Sequence, residues 1–402
     1  MAGSSNLAPH TVLVIKLNTL LPDRSIVRVN IGYRLSAFGF LACESPDAKL
    51  TGNYGFKDQW VARVGKREHP KLWWDPNDIQ IIRSFCAHSV HQLLHHASHL
   101  PDGKSSPFHS AILMSNAIAT APKTPTELCP QYDALCTALG LSPQDPNTLS
   151  TLRDPLKVSA QRICRVIETD ALGVEHGTFR GCVEDTWLPS SPDAMEWQRS
   201  GGLARSLLAK GVKSIVIGDL TEEWYLYSIA HPTLSPKDIK LNLLRYYQEP
   251  LVDKMMSRYK QLPDDAGEKE STRLFGDILS DWQVHLPVRL FARDMHRAGF
   301  PVLRYLIRWT PEQARSEGYV THGSDTTIWH YRLPVLEEQD AVVAKAWLDR
   351  IDEEVRAIEA AGKPLMDTRK VLALKVDKSI EWDDDEMWEE KMELSDVVEG
   401  TK

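Results

Sequence analysis

The chain has 402 residues, a formal net charge of −8 and an apolar content of 42%. That composition supplies a sizeable core and excludes a chain disordered throughout, and the acidic balance argues against non-specific nucleic-acid binding. No run approaches the ~18 apolar residues of a membrane span. The amino terminus has no charged region before its short apolar run, so no signal peptide is expected and the chain as printed reads as cytoplasmic.

The six cysteines, Cys43, Cys86, Cys129, Cys136, Cys164 and Cys182, include no C-x-x-C pair. A chain of this length needs no covalent staples, so buried free thiols are expected, although Cys129 and Cys136 could be bridged in a secreted relative.

In chain order, Ile26 to Asn30 reads as a β-branched strand. It opens the run VNIGYRLSAFGFL (29–41), which is followed by GNYGFKDQ (52–59), where Asp58 and Gln59 open a helix. Residues 63–74 make a poor helix, because Pro70 interrupts them and five charges leave little apolar face. Next comes DPNDIQIIRSFCAHSV (75–90), a strand over Ile79–Ile82, a sharp turn, then a helix opening near His88. Along His88–Leu100, Val90, Leu93, Leu94 and Ala97 form an apolar stripe. His88, His91, His95 and His99 fall opposite it. That spacing can hold a metal, but no carboxylate or thiolate stands nearby, so a solvated polar face is expected and no metal or cofactor is assigned.

SPFHSAILMS (106–115) is a loop and strand, and residues 122–175 are helical with breaks. CVEDTWLP (182–189) is a strand and turn. A strand at Lys213–Ile217 runs into GDLTEEW (218–224), and residues 234–300 are again helical. The strand Val302–Ile307 is followed by VTHGSD (320–325). Ala344–Ala361 is a charged amphipathic helix, expected to be solvated, and beyond about 364 a partly ordered acidic tail is expected.

These motifs resemble the type-B carboxylesterase and cholinesterase family. VNIGYRLSAFGFL…GNYGFKDQ is similar to that family's VNYRLGALGFL…GNYGLLDQ, and GDLTEEW to its G-T-N-x-D-E-G. VTHGSD resembles its G-x-x-H-G-x-E/D loop. The resemblance implies an α/β-hydrolase fold: one α/β domain over 1–402, a mostly parallel sheet flanked by helices, and a helical cap within about 122–300. The sheet is expected to be incomplete at its N-terminal edge, because the chain resembles the family from about Ile26 onward and lacks its first quarter with the His-Gly-Gly-Gly segment.

The resemblance further implies hydrolysis of a small-molecule carboxylic ester, with Glu223 as triad acid and His322 as base, in the order Ser…Glu…His that the fold requires. Those two side chains are expected within hydrogen-bond reach, at the C-terminal ends of adjacent strands. The nucleophile elbow departs from the pattern. Ser84 stands near the right place, yet Arg83 and Phe85 flank it where the family has FGLSAG or FGESAG. Catalysis in the printed chain is therefore expected to be absent or severely impaired, and a non-catalytic binding protein of the same fold is the alternative.

Codon degeneracy offers a cause. Arg83 to Cys86 can be written so that the neighbouring frame reads Gly-Leu-Ser-Ala, and Arg63 to Trp74 so that it reads EWVKENIPSFGG. Compensating frameshifts or misplaced intron boundaries between Ala62 and Ala87 are the expected origin, which cDNA across that interval tests.

Overall fold

The computed structural model describes residues 13–21, 24–67, 78–83, 87–333 and 335–400. Strands β1 (Leu13–Leu21) and β2 (Arg24–Ile31) form an antiparallel hairpin, and β3 (Cys43–Glu44) with β4 (Lys49–Leu50) form a short one. Among the described residues a single larger sheet follows, built from β5 (Gln80–Arg83), β6 (Ser110–Met114), β7 (Ser214–Leu220), β8 (Val302–Ile307), β9 (Lys370–Leu374) and β10 (Ile380–Asp384). Its order is β10-β9-β8-β7-β6-β5, parallel throughout except for the antiparallel β9–β10 pair.

Side chains alternate across a strand, so each strand feeds two cores. Ala111, Leu113, Ile215 and Ile217 join Val90, Leu93, Leu94, Val288 and Phe291 beneath the helices Ala87–Ser98 and Leu286–Arg297. Ile112, Met114, Val216, Leu303, Tyr305 and Ile307 join Ala344, Trp347, Ile351 and Ile358 of the helix Glu338–Ala361 on the other face. Burial on both faces is what a parallel sheet requires, and it explains why these strands read as continuous apolar runs. At Gly218 a Cβ would stand 2.2 Å from the Tyr305 carbonyl oxygen, so only glycine lets β7 and β8 approach there.

Several expectations need correction. His91 and His95 are fully buried, not on a solvated face, because the helix Gly202–Ala209 packs against Ala87–Ser98 and Phe291 of the helix Leu286–Arg297 meets the His91 ring edge-on at 4.7 Å. The Ile118 N–H donates to His91 Nδ1 at 2.9 Å. His91 is therefore the Nε2–H tautomer, and that hydrogen faces His95 Nε2 at 3.2 Å. Burial holds the His91 imidazole far below its usual range, at about 3. Among the described residues no group of three or more metal-ligating side chains gathers.

The cysteines are not all free: Cys43 of β3 is bonded to Cys129 at the start of the helix Cys129–Ala138, while Cys136, Cys164 and Cys182 are free. The partner of Cys129 is distant in sequence, so spacing could not reveal it.

The carboxyl-terminal segment is not a loose tail. β9 and β10 extend the main sheet, and Asp385 and Trp388 are buried. The helix before them begins at Glu338 and buries Ala344, Trp347, Ile351 and Ile358. The helix that begins at Tyr54 is described as far as Arg67, and residues 68–77, where Pro70 is expected to interrupt it, lie outside the described residues.

Candidate active site

β7 and β8 are neighbours in the sheet, and the chain leaves both at the same edge. β7 ends at Leu220, and three residues later Glu223 turns back so that its Oε1 accepts the Leu220 N–H at 3.0 Å. Its other oxygen, Oε2, lies 2.8 Å from Nδ1 of His322, on the loop that follows β8. Both side chains are buried. A carboxylate can only accept, so His322 carries its hydrogen on Nδ1, which makes Nε2 the acceptor nitrogen of the neutral ring.

The two loops are bonded along their length. Glu222 N–H donates to the Val320 carbonyl at 3.1 Å. Val320 N–H donates to Glu222 Oε2 at 2.7 Å. Leu226 N–H donates to Thr321 Oγ1 at 3.2 Å. The Tyr227 ring stands edge-on to His322, 5.4 Å between centroids, and its hydroxyl lies 3.4 Å from Asn116 Nδ2 just past β6.

A third acid sits close by. Asp325 is fully buried and accepts from Trp329 Nε1 at 3.0 Å. Burial, and then the charge of Glu223, push its carboxyl up to about 7. Sequence reasoning did not single out Asp325, Tyr227 or Asn116. The acid three positions after His322 was a readable signal for the first, but nothing local marks the other two.

Glu223 and His322 are thus brought together. Ser84 is not described: β5 ends at Arg83, the next helix begins at Ala87, and Ser84 lies outside the described residues.

The profile of the carboxylesterase family matches residues 1–351. The chain belongs to the carboxylesterase family. Among its relatives is an uncharacterized esterase/lipase of Schizosaccharomyces pombe, 26% identical over 395 residues, with 93% of this chain and 70% of that protein covered. Another is a carboxylic ester hydrolase of Gibberella moniliformis, 24% identical over 374 residues, with 86% and 65% covered. This carboxylesterase-family chain therefore spans 65–70% of the length of those two proteins. A solved PNB esterase superposes with a TM-score of 0.68 at 20% identity, covering 92% of this chain and 75% of that one. A second, thermophilic, gives 0.65 at 21%. The likeness fixes an α/β-hydrolase fold. Among the described residues no helix is long and apolar enough to cross a membrane.

Proposed function

We propose that this chain is a serine-type carboxylic-ester hydrolase by construction, with turnover severely impaired in the sequence as it stands. The observation that supports the chemistry is the buried 2.8 Å contact between His322 Nδ1 and Glu223 Oε2. In such a unit a serine attacks the ester carbonyl and the histidine takes its proton at Nε2. The acid steadies the resulting imidazolium, and the histidine then returns the proton to the leaving alcohol. Glu223 and His322 are assigned the acid and base roles, and small-molecule esters are the substrate class.

The impairment rests on the elbow. A nucleophilic serine there needs a strained turn with small neighbours, and Arg83 and Phe85 stand beside Ser84 instead. Loss of a working nucleophile from a comparable triad removes on the order of 10⁶ in kcat. The purified chain should leave a short-chain aryl ester uncleaved and take no fluorophosphonate label, read by intact-mass spectrometry. A label on Ser84 would overturn the impairment and promote Ser84 to nucleophile. The same elbow residues favour, as a second reading, a non-catalytic protein of this fold that binds esters; saturable binding of an uncleaved ester by calorimetry would support it.

A further inference from the structure

We propose that Trp224, Tyr225 and Tyr319 are positioning residues: an aromatic clamp that fastens the acid turn to the base loop and keeps Glu223 and His322 at hydrogen-bond distance. The inference rests on the acid and base roles proposed above. Trp224 follows Glu223 directly, where the family pattern places a glycine, so this chain has put an indole beside its acid. Tyr319 lies three residues before His322 on the opposing loop.

The rings meet across the gap between the loops. Trp224 stands edge-on to Tyr319 at 4.9 Å, and Tyr225 stacks on Tyr319 at 4.7 Å. Trp224 and Tyr225 are themselves edge-on at 5.6 Å. All three contacts fall within the range where aromatic pairs attract beyond simple burial. The outer side of the indole is held as well. The Arg273 guanidinium lies 3.8 Å from its ring centroid, a cation–π geometry, and Arg273 is tied to Asp277 at 2.9 Å. Beneath it, Gly276 lets the helix Glu268–Ser280 come close: a Cβ there would stand 2.6 Å from the Trp224 carbonyl oxygen.

The hydrogen bonds that the Glu222, Val320 and Leu226 amides donate to the Val320 carbonyl, Glu222 Oε2 and Thr321 Oγ1 set the register of the two loops. They are short loop contacts, and the ring-on-ring contacts of Trp224, Tyr225 and Tyr319 are what stops the loops from sliding apart. Rigid support of this kind is what a hydrogen-bonded pair needs to stay within a few tenths of an ångström.

The test reads the pair itself. In ¹⁵N-histidine-labelled protein, the Nδ1–H of His322 bonded to a carboxylate should give a low-field proton resonance, assigned by its disappearance in His322→Gln. Trp224→Gly should abolish or broaden that resonance while near-ultraviolet circular dichroism elsewhere in the fold persists, and Trp224→Phe should retain it. Tyr319→Leu, which keeps apolar bulk but not the ring stack, should weaken it too. It decides the matter if Trp224→Gly does not fold: loss supports the clamp, persistence overturns it. An unchanged resonance in Trp224→Gly, or no such resonance in the unaltered protein, also overturns the proposal. Phosphonate labelling is a separate readout, so an unexpected label on Ser84 would revise the proposed function and leave this result standing.

Discussion

Two buried carboxylates, on β7 and its continuation, each meet a histidine from another element at the same contact distance. His322 Nδ1 meets Glu223 Oε2 at 2.8 Å, and His285 Nδ1 meets Asp219 Oδ2 at 2.8 Å. Their surroundings differ. The same Asp219 oxygen takes Arg289 Nη1 at 2.8 Å. Arg289 also reaches Asp385 at 2.8 Å, and Arg304 reaches the other Asp385 oxygen at 2.8 Å. Burial alone would raise the Asp219 carboxyl, yet Arg289 and His285 hold it well below the usual carboxylate range. Glu223 has the Leu220 amide and His322 as hydrogen-bond partners, with a second buried acid, Asp325, near enough to feel its charge. A guanidinium already neutralises Asp219, so His285 there is a structural donor. Glu223, by contrast, shares its surroundings with Asp325, whose carboxyl burial and then the Glu223 charge push up. Contact distance does not separate the two pairs; the count of neighbouring charges does.

The largest effect should come from breaking the balanced cluster. Arg289→Met leaves buried Asp219 with His285 alone and takes from Asp385 one of its two guanidinium partners, and urea denaturation should show a loss of about 3–5 kcal/mol. A loss below about 1 kcal/mol would mean that the cluster is not held by charge balance and would undo the contrast.

Next is the pH dependence of the acid-rich side. Asp325 is raised to about 7 from 3.8, so it binds its proton more tightly folded than unfolded. Its contribution to stability is full below pH 3.8 and is lost as pH rises through about 7. Asp325→Asn should remove that loss, making the variant more stable than the parent at pH 8 relative to pH 4 by on the order of 3 kcal/mol. His91 acts with the opposite sign. It falls from 6.5 to about 3, so the stability it gives is present above pH 6.5 and lost as pH drops toward 3. Comparing parent with Asp325→Asn cancels that shared background. Parallel stability–pH curves would mean that Asp325 does not carry its proton to neutrality.

The smaller effects compare the two imidazoles directly. His322→Ala leaves Glu223 buried with the single Leu220 donor and should cost about 2 kcal/mol. His285→Ala leaves Asp219 on Arg289 and should cost nearer 1 kcal/mol. Equal losses in denaturant titrations would show that Arg289 does not shield Asp219 as argued.

The sequence by itself determined the family, the apolar strands and the order of the proposed acid and base. Val302–Ile307 was legible to the residue, because a strand buried on both faces reads as a nearly continuous apolar run, interrupted here by Arg304. Glu223 was legible through a motif that runs straight on from β7, and His322 through VTHGSD in the loop that follows β8. The distance between them was not, because they are 99 residues apart and only the pairing of β7 with β8 brings their loops together. The histidines of Ala87–Ser98 misled for the same reason. A helical pattern shows which face is apolar, but it cannot show that a second layer of helices will bury the other face too. The carboxyl-terminal segment misled most. Its density of acids reads locally as solvated, whereas Asp385 is buried against Arg289 and Arg304, which are remote in sequence. Charge pairing across a fold has no period to read, so only the tertiary structure could decide which acids are exposed and which neutralise a buried cation.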